Sequence, residues 1–150
     1  MFTIVDNVSR VSPAIAVDYS LKGAQVVAVL ERLKGTIGLP QRIAVDNGPE
    51  CISKALDAWA YRNGVKLEFW RPGKPTDNAY VESFNGHLRE ECLNQHWFET
   101  LAEAREVIEA WRAECNTERP HRALQHNPKS GPIWGAGQLN RFRATVMCVR

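Results

Sequence analysis

The chain alternates short apolar runs with amphipathic stretches, and each change of period marks an element. Residues 2–5 and 11–17 are β-rich runs joined by the polar Asp6-Asn7-Val8-Ser9-Arg10, which predicts an antiparallel hairpin. Ser20 can cap a helix running to about Lys34, with Val26, Val27, Leu30 and Leu33 on its apolar side. Gly35, Gly38 and Pro40 then break the chain. Residues 42–45 predict a short strand that stops at the turn-forming Asp46-Asn47-Gly48-Pro49. A helix carrying Ile52, Leu56, Trp59 and Ala60 follows, closed by Asn63-Gly64, and residues 66–70 give another strand. Residues 71–78, Arg-Pro-Gly-Lys-Pro-Thr-Asp-Asn, suit neither period and predict a surface loop. Two helices come next, over residues 79–94 and 101–115. In the second, Leu101, Ala104, Ile108, Trp111 and Cys115 follow the spacing of one buried face. After Leu124 the pattern fails, because Pro128, Gly131, Pro132, Gly135 and Gly137 interrupt every candidate helix. Val146, Met147 and Val149 are too few to anchor a second domain. The expected architecture is α/β with a mixed sheet over residues 1–124, followed by an irregular tail over 125–150.

Composition narrows this picture without settling it. The chain has 150 residues, 44% hydrophobic and 24% charged, which suits a folded domain rather than a disordered or fibrous chain. Nineteen Lys and Arg against 17 Asp and Glu leave a formal charge of +2. That is too small to mark a nucleic-acid binder, so any basic surface must come from local clustering. No apolar run approaches the roughly 20 residues of a membrane helix, and the first residues do not read as a signal peptide. Cys51, Cys92, Cys115 and Cys148 are widely spaced, which favours reduced thiols in a cytoplasmic protein over a disulfide or zinc framework.

Two carboxylates stand where chemistry could sit. Asp46 ends the apolar strand Ile43-Ala44-Val45, at the carboxyl edge where open α/β sheets place ligands. The bland alternative is a turn residue capping the next helix. Glu82 lies on the first turn of the helix after the Pro/Gly loop, about 100° around the axis from the buried Val81-Phe84-Leu88-Cys92 stripe. Its bland alternative is a solvated polar row with Asn85 and Arg89. Taken together, two converging carboxylates can hold Mg²⁺, a hard cation that prefers oxygen. Metal ions so held serve phosphoryl displacement, and Lys74, Asn85 and Arg89 could hold a phosphate backbone beside them.

The segments Val45-Asp46-Asn47-Gly48-Pro49-Glu50 and Arg71-Pro72-Gly73-Lys74-Pro75-Thr76-Asp77-Asn78-Ala79-Tyr80-Val81-Glu82-Ser83-Phe84-Asn85-Gly86 resemble the DDE transposases of bacterial insertion sequences. So do the 35 residues between Asp46 and Glu82, Arg89 seven positions after the Glu, and Asn116-Thr117-Glu118-Arg119-Pro120-His121-Arg122-Ala123-Leu124. The resemblance covers about residues 2–124. It implies the RNase H-like catalytic core of retroviral integrases, and Mg²⁺-dependent cleavage and joining of DNA, with Mn²⁺ as a substitute. By the same resemblance Asp46 and Glu82 are catalytic, metal-holding carboxylates, and Asn47, Lys74, Asn85 and Arg89 face DNA. The implied partners are transposon ends, target DNA, and a second copy or a full-length transposase.

The chain departs from that family in one respect that matters. The family's first catalytic Asp sits on a central strand preceding residues 2–5, between that strand and the one at Ile43, and this chain has no counterpart before Met1. Asp6 falls in the hairpin turn and is expected to be a turn residue rather than a replacement. The expectation is therefore a partial core with a split sheet and two exposed strand edges. It would be inactive alone, marginally stable or oligomeric. The alternatives are a non-catalytic remnant that binds DNA or a full-length transposase, and a different RNase H-like nuclease. The 71–78 loop and the Arg-Pro-His segment count against the last.

Overall fold

The structure is a computed structural model, and it describes residues 1–46, 52–70, 79–118 and 143–148. The elements run β1 (Phe2–Asp6), β2 (Ala14–Ala16), α1 (Gly23–Thr36), β3 (Arg42–Val45), α2 (Lys54–Asn63) and β4 (Lys66–Phe69). They continue as α3 (Ala79–Glu91), a 3₁₀ turn over Leu93–Gln95, α4 (Leu101–Glu118) and β5 (Arg143–Cys148). Local chemistry explains most boundaries. The Ser53 hydroxyl accepts from the Leu56 amide at 3.2 Å and starts α2, and Gly64, at φ 66°, ends it in the left-handed region. Ile52 therefore lies before the helix and is exposed, rather than on its apolar face as expected. Helix α1 is capped at Lys22, two residues later than the predicted Ser20, because the Gln25 side chain accepts from the Lys22 amide at 2.6 Å. The second hairpin strand is shorter than residues 11–17, since Pro13 has no N–H to donate to a ladder.

The five strands form one mixed sheet in the order β2-β1-β5-β3-β4. Strand β1 pairs antiparallel with β2, and β3 pairs parallel with β4. The two halves are joined by β5, antiparallel to β1 (Val5 opposite Thr145) and parallel to β3 (Val45 beside Val146). This corrects two expectations. The sheet is not split, and the tail is not wholly irregular. A six-residue segment, Arg-Ala-Thr-Val-Met-Cys, is β-branched enough to extend and apolar enough at alternate positions to fill the gap. A missing strand would have left two rows of backbone donors and acceptors unpaired, and the C-terminal segment satisfies both rows.

Alternation then sorts side chains into two cores. Phe2, Ile4, Ile43, Val45, Ala144 and Val146 point to one face, where they meet Val26, Leu30 and Leu33 of α1 and Leu56 and Trp59 of α2. On the other face Ile15 packs with Leu88 and Cys92 at the end of α3 and with Ile108 of α4. Phe84 and Trp111 close that side edge to face, 5.4 Å between ring centres. Each fully buried large side chain contributes roughly 1.5–3 kcal/mol. Helix α4 also covers the exposed edge of the sheet: the Ser12 carbonyl accepts from Arg112 at 2.6 Å and from Asn116 at 2.9 Å, and the Asn116 carbonyl accepts from the Ser12 amide at 3.0 Å. On the opposite edge β4 is guarded by charge, with Glu68 paired to Arg42 and Lys66.

If β5 closes the sheet, substitutions within it act on the whole fold. Val146→Ala is expected to lower unfolding free energy by roughly 1–3 kcal/mol in chemical denaturation. Thr145→Pro, which cannot donate to a central ladder, is expected to abolish a cooperative thermal transition. Asn116→Ala removes a paired contact at the outer edge and is expected to cost only about 1 kcal/mol.

Candidate carboxylate site

Asp46 is the first residue past β3 and is half-buried, held by its amide, which donates to the Val146 carbonyl at 3.2 Å. Asp46 thus sits directly beside the end of β5, with Met147 next along that neighbouring strand. Glu82 is exposed in the first turn of α3, a helix fixed from below by the buried Val81, Asn85 and Leu88. The two elements meet through Met147: the Asn85 amide, less than one turn on from Glu82, donates to the Met147 sulfur at 3.2 Å. Arg89 is exposed two turns after Glu82, on the same side of the helix.

Asn85, expected to face DNA, is 6% exposed. Its carbonyl oxygen is buried and makes no hydrogen bond among the described residues. Asn47 and Lys74, the other two residues expected to face DNA, lie outside the described residues. Asp6 behaves as a turn residue. It is buried, and its carboxylate accepts from the Val8 and Ser9 amides, the Ser9 hydroxyl and the Arg143 amide, which ties the hairpin to the start of β5.

The donor set suits a hard divalent cation as far as it goes, because Asp46 and Glu82 offer carboxylate oxygen. Among the described residues, no group of three or more His, Cys, Asp or Glu is placed to hold a metal ion. On the strand between β1 and β3, the side chains on the α3 face are Thr145 and Met147, neither of them a carboxylate.

A contact that the sequence did not reveal supports the start of α3. Arg10, in the left-handed region at φ 64°, lays its guanidinium over the Tyr80 ring, 2.9 Å from the centroid. No short-range pattern signals a pair 70 residues apart. A separate hollow of about 760 Å³ lies between α1, β2 and α4, lined by Asp18, Arg32, Arg105, Glu106, Glu109 and Arg112 among others. There the Arg112 guanidinium holds the Glu109 carboxyl below its ordinary range, against the opposing effect of burial. This hollow includes neither Asp46 nor Glu82. Among the described residues, no helix is long and apolar enough to cross a membrane.

Comparison with known proteins fits this geometry. Two models described as integrase core domain match residues 1–75 and 63–128. An uncharacterized 31.7 kDa protein of insertion element IS407 from Burkholderia multivorans is 51% identical over 124 residues, covering 83% of this chain and 45% of that protein. A 39.2 kDa protein of insertion element IS476 from Xanthomonas euvesicatoria is 47% identical over 126 residues, covering 84% and 36%. The transposase for IS904 of Lactococcus lactis is 34% identical over 89 residues, covering 58% of this chain and 35% of that protein. The chain therefore spans less than half the length of these relatives. In structure it resembles the HTLV-2 integrase catalytic core domain solved with magnesium in a trimeric form. The TM-score is 0.60 at 18% identity, over 79% of this chain and 75% of that one, and this likeness shows the fold. The integrase core match over residues 1–75 reaches half of the chain, and the insertion-element relatives agree with it: the chain belongs to the integrase core family, among the DDE transposases of insertion sequences.

Proposed function

We propose that this chain is the DNA-processing core of an insertion-sequence transposase and that, acting alone, it binds DNA without cutting or joining it. The observation that carries this reading is the identity of the strand beside Asp46: β5 brings Thr145 and Met147 to the α3 face, where catalysis by three carboxylates needs an acid. Asp46 and Glu82 would hold Mg²⁺, or Mn²⁺ in its place. When bound, such an ion polarises a phosphodiester and lowers the pKa of an attacking water or 3′-hydroxyl. Asp46 and Glu82 supply oxygen ligands, while Arg89 and Lys74 neutralise the phosphate backbone and Asn47 helps position it. Asn85 sets the height of α3 over the sheet instead of touching DNA. The partners under this reading are transposon-end and target DNA in the bacterial cytoplasm, with a second copy or a full-length transposase as the protein partner.

The same observation favours the second reading, a remnant that binds DNA or a full-length transposase without catalysis. One assay tests both readings against a complete active site. Strand transfer on transposon-end DNA is measured with Mg²⁺ or Mn²⁺ for the wild type and for Glu82→Gln. The proposal expects no transfer from either protein and salt-sensitive DNA binding by both. Transfer by the wild type that Glu82→Gln abolishes would show a complete active site and refute it. Because Glu82 is exposed, Glu82→Gln is expected to change stability by less than about 0.5 kcal/mol, so lost activity would not reflect unfolding.

Arg89 gives an independent check. Arg89→Ala is expected to weaken binding to all DNA sequences alike and to reduce the salt slope of log K by about 1. An unchanged slope would remove Arg89 from the DNA surface.

A further inference from the structure

Three glycines of the described residues stand within helices, and their surroundings account for two of them. A Cβ on Gly23, the first residue of α1, would overlap the Ser53 hydroxyl that caps α2, so close packing of the two helix starts requires glycine there. Gly35 is the second-last residue of α1, in a final turn where a helix is ending and a glycine matters little.

Gly86 has neither reason. It is the eighth of the 13 residues of α3, and a Cβ built on it meets no atom of the described residues within 4 Å. In a helix interior glycine is the least favourable residue after proline, because its backbone has the most freedom to lose. Alanine would fit the open space and strengthen the helix. Among the described residues, then, nothing in the folded chain asks for glycine at this position. Its place on α3 does. Gly86 comes four residues after Glu82 and three before Arg89, so it lies about 40° to one side of Glu82, with Arg89 about 20° to the other. Glu82 and Arg89 are exposed, while Val81, Asn85 and Leu88 take the buried side. Successive turns of one open face thus present a carboxylate, bare backbone and a guanidinium.

We propose that Gly86 is a positioning residue that clears this face for the sugar-phosphate backbone of DNA. The strand lies in van der Waals contact with α3 at Gly86, between Glu82 and Arg89. Interior amides of a helix are committed to the carbonyls four residues back, so Gly86 supplies room rather than a hydrogen bond. That room lets Arg89 reach a phosphate of the same strand that passes Glu82. The inference rests on the DNA reading above and deepens it: helix stability is given up for close approach of the ligand.

The test compares the full chain with three variants, Gly86→Ala, Gly86→Leu and Ser83→Ala. The first two are better helix formers than glycine and add increasing volume on the Glu82–Arg89 face. Ser83→Ala raises helix propensity at an exposed position of the same helix without adding volume. Thermal melting is measured beside binding to a fluorescent DNA duplex of mixed sequence, read by anisotropy. Gly86→Ala is expected to raise the Tm by roughly 2–6 °C and yet to weaken DNA binding by about tenfold. Gly86→Leu is expected to weaken binding further, and Ser83→Ala to bind as the wild type does. If Gly86→Ala binds as tightly as the wild type, the proposal is overturned and the DNA reading stands. A lowered Tm for Gly86→Ala would mean that the chain itself fills the space, and would overturn the proposal as well. So would an equal loss of affinity in Ser83→Ala, which would trace the effect to helix stiffness. A wild type that binds no DNA would overturn the DNA reading and this inference together.

Discussion

Every layer of this molecule depends on a strand between β1 and β3. Each of those strands has a second neighbour, β2 or β4, but the two pairs are separate ribbons without something between them. An isolated two-stranded ribbon is marginal in water, and here each would have to support a helical layer by itself. Strand β5 turns two ribbons into one five-stranded surface, and only such a surface lets Phe2 and Ile43 share a core with α1 and α2. The same insertion fixes where Asp46 sits, because its amide is bonded to Val146. Fold and site are therefore set by one pairing.

That pairing also sets the chemical limit of the site. A strand chosen for its ability to close a sheet need not carry the functional group that a catalytic strand would bring. Ala144 and Val146 answer the demand of the apolar face, while Thr145 and Met147 bring no charge to the opposite face. Asp46 stands just past a strand end and Glu82 on a helical first turn. Among the described residues, the strand between β1 and β3 brings no carboxylate to the α3 face. Beside Met147, the buried Asn85 carbonyl has no hydrogen-bond partner among the described residues.

Much of this was legible in the sequence, for reasons that particular residues make clear. The Asn63-Gly64 end signal acts within a few residues, and the Leu88-Cys92 and Ala104-Ile108 spacings report one buried face directly. Asp46 and Glu82 could be singled out because each stands at the margin of a regular apolar pattern. The β5 strand escaped because six residues among glycines and prolines carry no long-range information about the gap they fill. Only the pairing partners Phe2–Asp6 and Arg42–Val45, more than 95 residues away, give that segment its meaning. The burial of Asn85 escaped for a related reason. Its neighbours on the helix suggest a polar face, but burial is decided by what packs across from it, and that is Met147.

The account rests on residues 143–148 lying between β1 and β3, and NMR of the uniformly ¹⁵N,¹³C-labelled chain addresses that directly. It predicts cross-strand NOEs from Val5 to Thr145 and from the Asp46 amide to the Val146 backbone, with extended-strand chemical shifts over 143–148. Random-coil shifts over that segment, or NOEs linking β1 directly to β3, would contradict it.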